Sequence, residues 1–247
     1  KKRIFQMIYS FLQNGDGAIT IQFENEISEE VNRRVTDLCT AIEAKGINGV
    51  IELVPTFASL TVFYDCTIIT SKKLKKKIKA LINDGGHSVK STATVWNIPV
   101  CYDDEFALDM KNVCKHTSLE KEEVIRLHTS KPYLIYMLGF LPGFAYLGGM
   151  DERLFTPRLK TPRLEIFEGA VGIGSEQTGI YPIASPGGWQ LIGKTPVKVF
   201  DKSKESPILY KAGDYIKFFS IDKAEYFEIE KQVASGVYTP AVSEIKL

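Results

Sequence analysis

Three features predict an α+β chain of two units. Strand and helix periodicities alternate in the order β-α-β-β-α-β through Cys101, which is the ferredoxin-like pattern. Beyond residue 139 the helical period fades, and short β runs recur between glycine and proline turns, the mark of a small β-barrel. No low-complexity linker separates the two, and Gly85-Gly86 reads as the hinge. The boundary is therefore placed between residues 1–88 and residues 89–247, with the two units expected to pack together.

The elements follow in order. Residues 18–23 alternate as a strand. Ser28 caps a helix that carries Glu29 and Glu30 in its first turn and Val31, Val35, Leu38, Cys39 and Ile42 on one face, ending at Gly46. Residues 49–54 and 59–64 are β-rich runs joined by a turn with Pro55. A second helix begins at Ser71, with Leu74, Ile78, Leu81 and Ile82 aligned, and stops at Asn83-Asp84-Gly85-Gly86. Its lysines, from Lys72 to Lys79, form a solvated polar face. The strand 92–101 completes the pattern.

From about Thr92 the second unit begins. Helices are expected over 106–115 and over 119–128, the latter capped by Ser118 with Glu122 and Glu123 at its start. Strands are expected over 134–138, 170–173, 179–183, 190–192, 197–200 and 215–219, and a late helix over 222–233.

Composition excludes some functions. A net charge of +1 gives no reason to expect nucleic acid or an anionic membrane as partner. No apolar run is long enough for a membrane helix. The short apolar stretch after Lys1–Arg3, interrupted by Gln6, Ser10 and Gln13, is not read as a secretory signal. Cys39, Cys66, Cys101 and Cys114 form no CxxC pair, so reduced thiols, no metal centre and a cytoplasmic location are expected.

The residues suited to building a site concentrate between Gly139 and Asp201. In Gly139-Phe140-Leu141-Pro142-Gly143-Phe144, Pro142 presets φ and Gly143 accepts a positive φ, so a tight turn is expected. Phe140, Phe144 and Tyr146 then flank it, either as the rim of an aromatic pocket or as a corner closing the barrel. Thr156-Pro157-Arg158-Leu159-Lys160 is echoed by Thr161-Pro162-Arg163-Leu164-Glu165. Proline stiffening suits Arg158 and Arg163 to capture of a carboxylate or phosphate. The competing reading is a surface loop paired with Glu165, Glu168 or Asp151.

Ser185-Pro186-Gly187-Gly188-Trp189 offers backbone N–H groups in a glycine turn, a candidate anion nest with Tyr181 upstream. Ser185 is a candidate nucleophile, although the segment is not GxSxG. Gly193-Lys194-Thr195 misses the phosphate-loop spacing by one residue and is discounted. His128 stands at a helix end, where the dipole favours a cation, and is the candidate for proton transfer. His87 and His116 are assigned to the surface, and Asp103, Asp104 and Glu105 to an acidic turn.

These motifs, GFLPGFAYLGG, PRLKTPR, VGIG and IYPIASPGGWQLIGKTP taken in order, resemble the KipI/PxpB family, also called allophanate hydrolase subunit 1, along essentially the whole chain. That family is similar to half of the carboxyltransferase domain of urea carboxylase. The resemblance implies a ferredoxin-like domain followed by a cyclophilin-like β-barrel. It implies a partner of KipA type (the C subunit, or allophanate hydrolase subunit 2), with the site completed at their interface. With a PxpA-like partner (the A subunit) it implies an ATP-dependent 5-oxoprolinase that opens 5-oxo-L-proline to L-glutamate. ATP would be a co-substrate of the assembled enzyme, and the single chain would be inactive. The alternative role implied is a protein-binding module that inhibits a sporulation histidine kinase. A urea- or allophanate-related carboxyltransferase half is a weaker reading, since nothing here resembles a biotin attachment site. Family members commonly carry Gly-Pro-Asp-Leu before the first barrel-domain helix, where this chain has Phe106-Ala107-Leu108-Asp109-Met110, keeping the Asp without the Gly-Pro turn.

Overall fold

A computed structural model describes residues 9–24, 26, 28–84 and 92–246, and divides the chain into two compact units, Lys1–Lys90 and Ser91–Leu247. The Gly85-Gly86 hinge, His87, the 88/89 boundary and the basic start at Lys1–Arg3 lie outside the described residues.

The first unit is a four-stranded antiparallel sheet with two helices. Its strands are β1 (Ser10–Asn14), β2 (Ala18–Gln22), β3 (Val50–Pro55) and β4 (Ser59–Tyr64), in the order β1-β2-β4-β3. The alternation that predicts β2 and β4 places Ile19, Ile21, Leu60 and Val62 in one core with Val35 and Leu38 of α1 (Glu29–Lys45) and Leu74 and Ile78 of α2 (Ser71–Asp84). The Ser28 side chain caps α1 by accepting from the Val31 N–H, and Gly46 ends it at φ 55°. Lys72, Lys73, Lys76, Lys77 and Lys79 are exposed, as a solvated helix face requires. The strand 92–101, read as the sixth element of this pattern, belongs to the barrel instead. The fourth place in the sheet is taken by β1, whose polar Ser10, Gln13 and Asn14 conceal its strand period.

In the second unit, seven strands close into a barrel. They are β5 (Thr92–Cys101), β6 (Tyr133–Leu138), β7 (Ala145–Gly148), β9 (Ala170–Gly174), β10 (Gln177–Ile180), β12 (Gln190–Lys194) and β13 (Tyr215–Ile221). The order runs β12-β9-β10-β7-β6-β13-β5, and the ring is closed by β12 against β5 at Lys194 and Cys101. The β5–β13 pair is parallel, and β14 (Val242–Lys246) extends the sheet from β5. Pro99 sits inside β5 opposite Phe219 of β13, in the gap on the other edge between the stretch that pairs β14 and the Cys101 contact with β12. Ile98, Val100, Ile135, Leu147, Ile173 and Phe218 fill the interior. A two-stranded sheet of β8 (Arg163–Ile166) and β11 (Ser185–Gly187) stands beside this ring.

Among the described residues this unit has three α-helices, α3 (Met110–Thr117), α4 (Lys121–His128) and α5 (Lys223–Ala234), and a 3-10 turn at Glu152–Leu154. Ser118 is not the N-cap of α4: it closes α3 in the left-handed region at φ 59°, and Glu120 precedes α4. Residues 197–200 form no strand, because only the Phe200–Ile208 bridge pairs there. Asp222 caps α5 by accepting from the Glu225 N–H.

Candidate functional site

The β6–β7 connection is built as Pro142 and Gly143 dictate. Gly143 has φ 82°, and the Phe144 N–H donates to the Leu141 carbonyl at 3.0 Å. A Cβ on Gly143 would come within 3.0 Å of Phe200 Cβ, so the turn needs glycine on two counts. Just before it, the Leu141 N–H donates to the Gly139 carbonyl at 2.7 Å across Phe140, whose φ is 64°. A phenylalanine held in the left-handed region with 64% of its surface exposed is a strained residue on display, which is where function concentrates.

Behind Phe140 lies an aromatic box. Phe144 stands edge-on to Phe140, Tyr146, Tyr181 and Trp189, with ring centroids 5.2–5.7 Å apart. Phe144, Tyr181 and Trp189 are buried and cluster with Ile166, Ala170 and Leu191. The corner reading and the rim reading therefore describe the two ends of one cluster. The box opens into a recess of about 100 Å³ lined by Phe140, Phe144, Tyr146, Arg158, Tyr181, Gly187, Gly188 and Trp189. Residues that the sequence marks in separated segments thus meet at one place.

The two arginines separate in role. Arg158 is exposed, and its guanidinium lies 5.8 Å from the Trp189 ring centroid. It forms no ion pair among the described residues. Arg163 faces the other way. Its Nη1 and Nη2 donate to Asp109 Oδ2 and Oδ1 at 2.9 and 2.8 Å. Asp109 is 3% exposed and also accepts the Leu191 N–H at 2.7 Å. The partner of the Pro-Arg loop is thus Asp109, and not Glu165, Glu168 or Asp151. With both terminal nitrogens committed, Arg163 anchors the loop while Arg158 is presented to the recess. Gln190 Nε2 to the Pro157 carbonyl at 2.8 Å and the Leu159 N–H to the Gly188 carbonyl at 2.7 Å hold the segment on either side of Arg158.

The glycine turn of 185–189 is partly a strand. Ser185 pairs with Ile166 and Gly187 with Arg163, with a bulge between them at the exposed Pro186. A Cβ on Gly187 would meet the Tyr181 hydroxyl at 2.5 Å, so only glycine lets the phenol reach the recess. Burial pushes the Tyr181 phenol above its ordinary pKa, opposed by the nearby Trp189 backbone and by Arg158. The phenol therefore keeps its proton at neutral pH. Ser185 is buried, its Oγ has no hydrogen-bond partner among the described residues, and it does not line the recess.

His128 leaves this group altogether. It is fully buried in the barrel, its ring stacked on Phe218 at 4.6 Å. Thr178 Oγ1 donates to the Gly172 carbonyl at 3.0 Å, so it accepts from His128 Nε2–H at 2.7 Å, and His128 Nδ1 accepts from the Tyr102 hydroxyl at 2.7 Å. Burial lowers its pKa to about 3. The helix-end cation expected from the sequence is thus a neutral core residue. Desolvation outweighs the helix dipole, and neither nitrogen can reach a substrate.

The remaining candidates stay apart. Asp104 pairs with Lys121 and Glu105 with Lys223. The four cysteines are free, and among the described residues no group of His, Cys, Asp and Glu could hold a metal. No described helix is long and apolar enough to cross a membrane. Sequence reasoning marks Asp109 only by its neighbours and misses its role. The available signal is a charge inside the apolar run Phe106-Ala107-Leu108-Asp109-Met110, since a carboxylate buried in such a run needs a cation. Gln190 gives no comparable signal.

Known proteins share this architecture. Residues 9–210 match the family described as carboxyltransferase domain, subdomain C and D. The chain is 41% identical over 234 residues to the B subunit of 5-oxoprolinase from Bacillus subtilis (strain 168), covering 91% of this chain and 98% of that one. The crystal structure of TTHA0988 superposes with a TM-score of 0.73 at 34% identity, over 83% of this chain. This chain spans only 40% of the TTHA0988 chain. Urea carboxylase of Kluyveromyces lactis shares the fold, with a TM-score of 0.79 at 20% identity over 97% of this chain and 24% of that one.

Proposed function

The chain belongs to the family of the carboxyltransferase domain, subdomain C and D, and on that premise we propose that it is the B subunit of an ATP-dependent 5-oxoprolinase that opens 5-oxo-L-proline to L-glutamate. The observation that carries this reading is 41% identity along 98% of a 5-oxoprolinase B subunit. The recess bounded by Arg158 and the aromatic box adds to it. A small, flat lactam acid suits aromatic walls for its ring and a cation for its carboxylate.

The chemistry assigns this chain a binding role. A lactam carbonyl is a poor electrophile. Transfer of the ATP γ-phosphoryl group to its oxygen activates the carbon toward water. The ring C–N bond then breaks, the nitrogen takes protons to become the amine of glutamate, and ADP and phosphate are released. Arg158 holds the substrate carboxylate, the box of Phe140, Phe144, Tyr181 and Trp189 excludes water from the ring, and the Tyr181 O–H donates to a ring heteroatom. No carboxylate, imidazole or thiol lines the recess. A general base for water and the ATP site therefore come from the PxpA-like and KipA-like partners, and the chain alone is inactive.

The test is 5-oxoproline-dependent ADP release by this chain alone, with each partner and with both. Activity only in the complete mixture supports the reading. Activity undiminished when this chain is omitted overturns it. So does inactivity of a mixture whose proteins are folded and associated, which would turn attention to inhibition of a histidine kinase.

A further inference from the structure

A second recess, of about 160 Å³, lies in the same unit between the barrel and α5, lined by two lysines, Lys194 and the exposed Lys198, and by Glu168, Glu230 and Tyr226. Lys194 comes from β12, at the strand pairing that closes the barrel. Its ammonium is surrounded by aromatic faces, 5.3 Å from the Phe167 centroid, 5.4 Å from Phe106 and 5.5 Å from Tyr226. It makes no hydrogen bond or ion pair among the described residues, although two carboxylates line the same recess. Cation–π attraction holds the ammonium against the rings and prevents it from collapsing onto Glu168 or Glu230. The Tyr226 hydroxyl donates to Glu230 Oε1 at 3.0 Å and so fixes that carboxylate in turn. Glu168 makes no hydrogen bond among the described residues. Val197 and Val233 add apolar side chains to the lining.

Opposite charges held apart across a small recess complement a ligand that carries both charges at short separation. We propose that this recess binds a free α-amino acid as its zwitterion, with the carboxylate on Lys194, the ammonium between Glu168 and Glu230, and an aliphatic side chain on Val197 and Val233. A simple anion would place its charge near two carboxylates, and a simple amine near Lys194 and Lys198, so each alone meets repulsion as well as attraction. The site is separate from the Arg158 recess, shares no lining residue with it, and does not rest on the 5-oxoprolinase reading.

The experiment is titration calorimetry on the full chain with three probes of one skeleton: L-valine, 3-methylbutanoate, which lacks the amine, and isobutylamine, which lacks the carboxylate. The expected result is that L-valine binds and each single-charge probe binds at least about 10-fold more weakly. Lys194→Met keeps a stem of similar length against the rings and should lose L-valine binding by about 10-fold or more. Glu168→Gln, on the surface, should weaken it in a chain whose folding is not in question. Binding of 3-methylbutanoate as tight as that of L-valine would reduce the site to a plain anion site and overturn the proposal. No heat with any probe, or L-valine affinity unchanged in both variants, overturns it as well.

Discussion

Arg163 grips Asp109 with both terminal nitrogens, at 2.9 and 2.8 Å, and thereby ties the Pro-Arg loop to the residue that precedes α3, more than fifty positions earlier in the chain. The pair is asymmetric in exposure, 30% for the arginine side chain against 3% for the carboxylate. Its loss is therefore felt mainly on the buried acid. Arg163→Ala leaves Asp109 with only the Leu191 N–H as strong donor and should cost about 2–3 kcal/mol in urea unfolding. Arg163→Lys should recover part of this, because a lysine cannot form the fork. A cost below about 0.5 kcal/mol for Arg163→Ala would mean the pair does not anchor the loop.

Arg158 should behave in the opposite way. It is exposed and has no ion-pair partner among the described residues, so Arg158→Ala should leave unfolding free energy within about 0.5 kcal/mol of the parent. In the assembled enzyme it should raise KM for 5-oxoproline by roughly 10- to 100-fold, the worth of a charge-assisted hydrogen bond. Steady-state kinetics beside a urea melt separate the two arginines. Unchanged KM would remove Arg158 from substrate binding.

Phe140 pairs backbone strain with display. Replacement by glycine removes the penalty of φ 64° on a side-chain-bearing residue, so Phe140→Gly should be neutral or stabilising by up to about 1 kcal/mol in denaturant unfolding. The same change removes one wall of the recess and should weaken substrate binding. Phe140→Val should be destabilising, because a β-branched residue tolerates positive φ worst. Equal stability of the glycine and valine variants would argue against strain at this turn.

His128 sets a pH dependence of stability. Its folded pKa is lowered to about 3 by burial from an ordinary 6.5. The unfolded chain therefore binds the proton first, and stability rises with pH between those values. The contribution of His128 is full above about pH 6.5 and is lost progressively as pH falls toward 3. Nitrogen NMR should find this ring neutral, protonated at Nε2, and untitrated between about pH 5 and 8. A titration midpoint near 6.5 would contradict the buried assignment. In His128→Asn the acid slope of stability between about pH 6 and 4 should flatten.

Much of this molecule is legible along the chain. The period of residues 29–45, with Ser28 before and Gly46 after, specifies α1 because helix propensity, capping and the apolar stripe act over a few neighbouring residues. Pro142-Gly143 specifies its turn for the same reason, since φ is set within each residue. The aromatic, glycine and Pro-Arg segments are recognisable as site material because glycine and proline break regular structure and so place aromatic and arginine side chains on tight turns. The strands that escape a sequence reading are β1, β7, β8, β11 and β14, each short or mostly exposed, with an apolar period too weak to read.

What the tertiary structure alone decided is which of two similar residues does what. Arg158 and Arg163 occupy equivalent places in a five-residue echo, and nothing local distinguishes them. The difference arises from Asp109 and Trp189, distant in sequence and brought close by barrel closure. The charge of His128 was decided the same way. The helix end that favours a cation is a local property, whereas the burial that forbids it depends on Phe218, Tyr102 and Thr178 arriving from three other strands or loops. Short-range terms act through neighbouring dihedral angles and are written in the order of residues. Desolvation and ion pairing act through space, and exist only once the chain has folded.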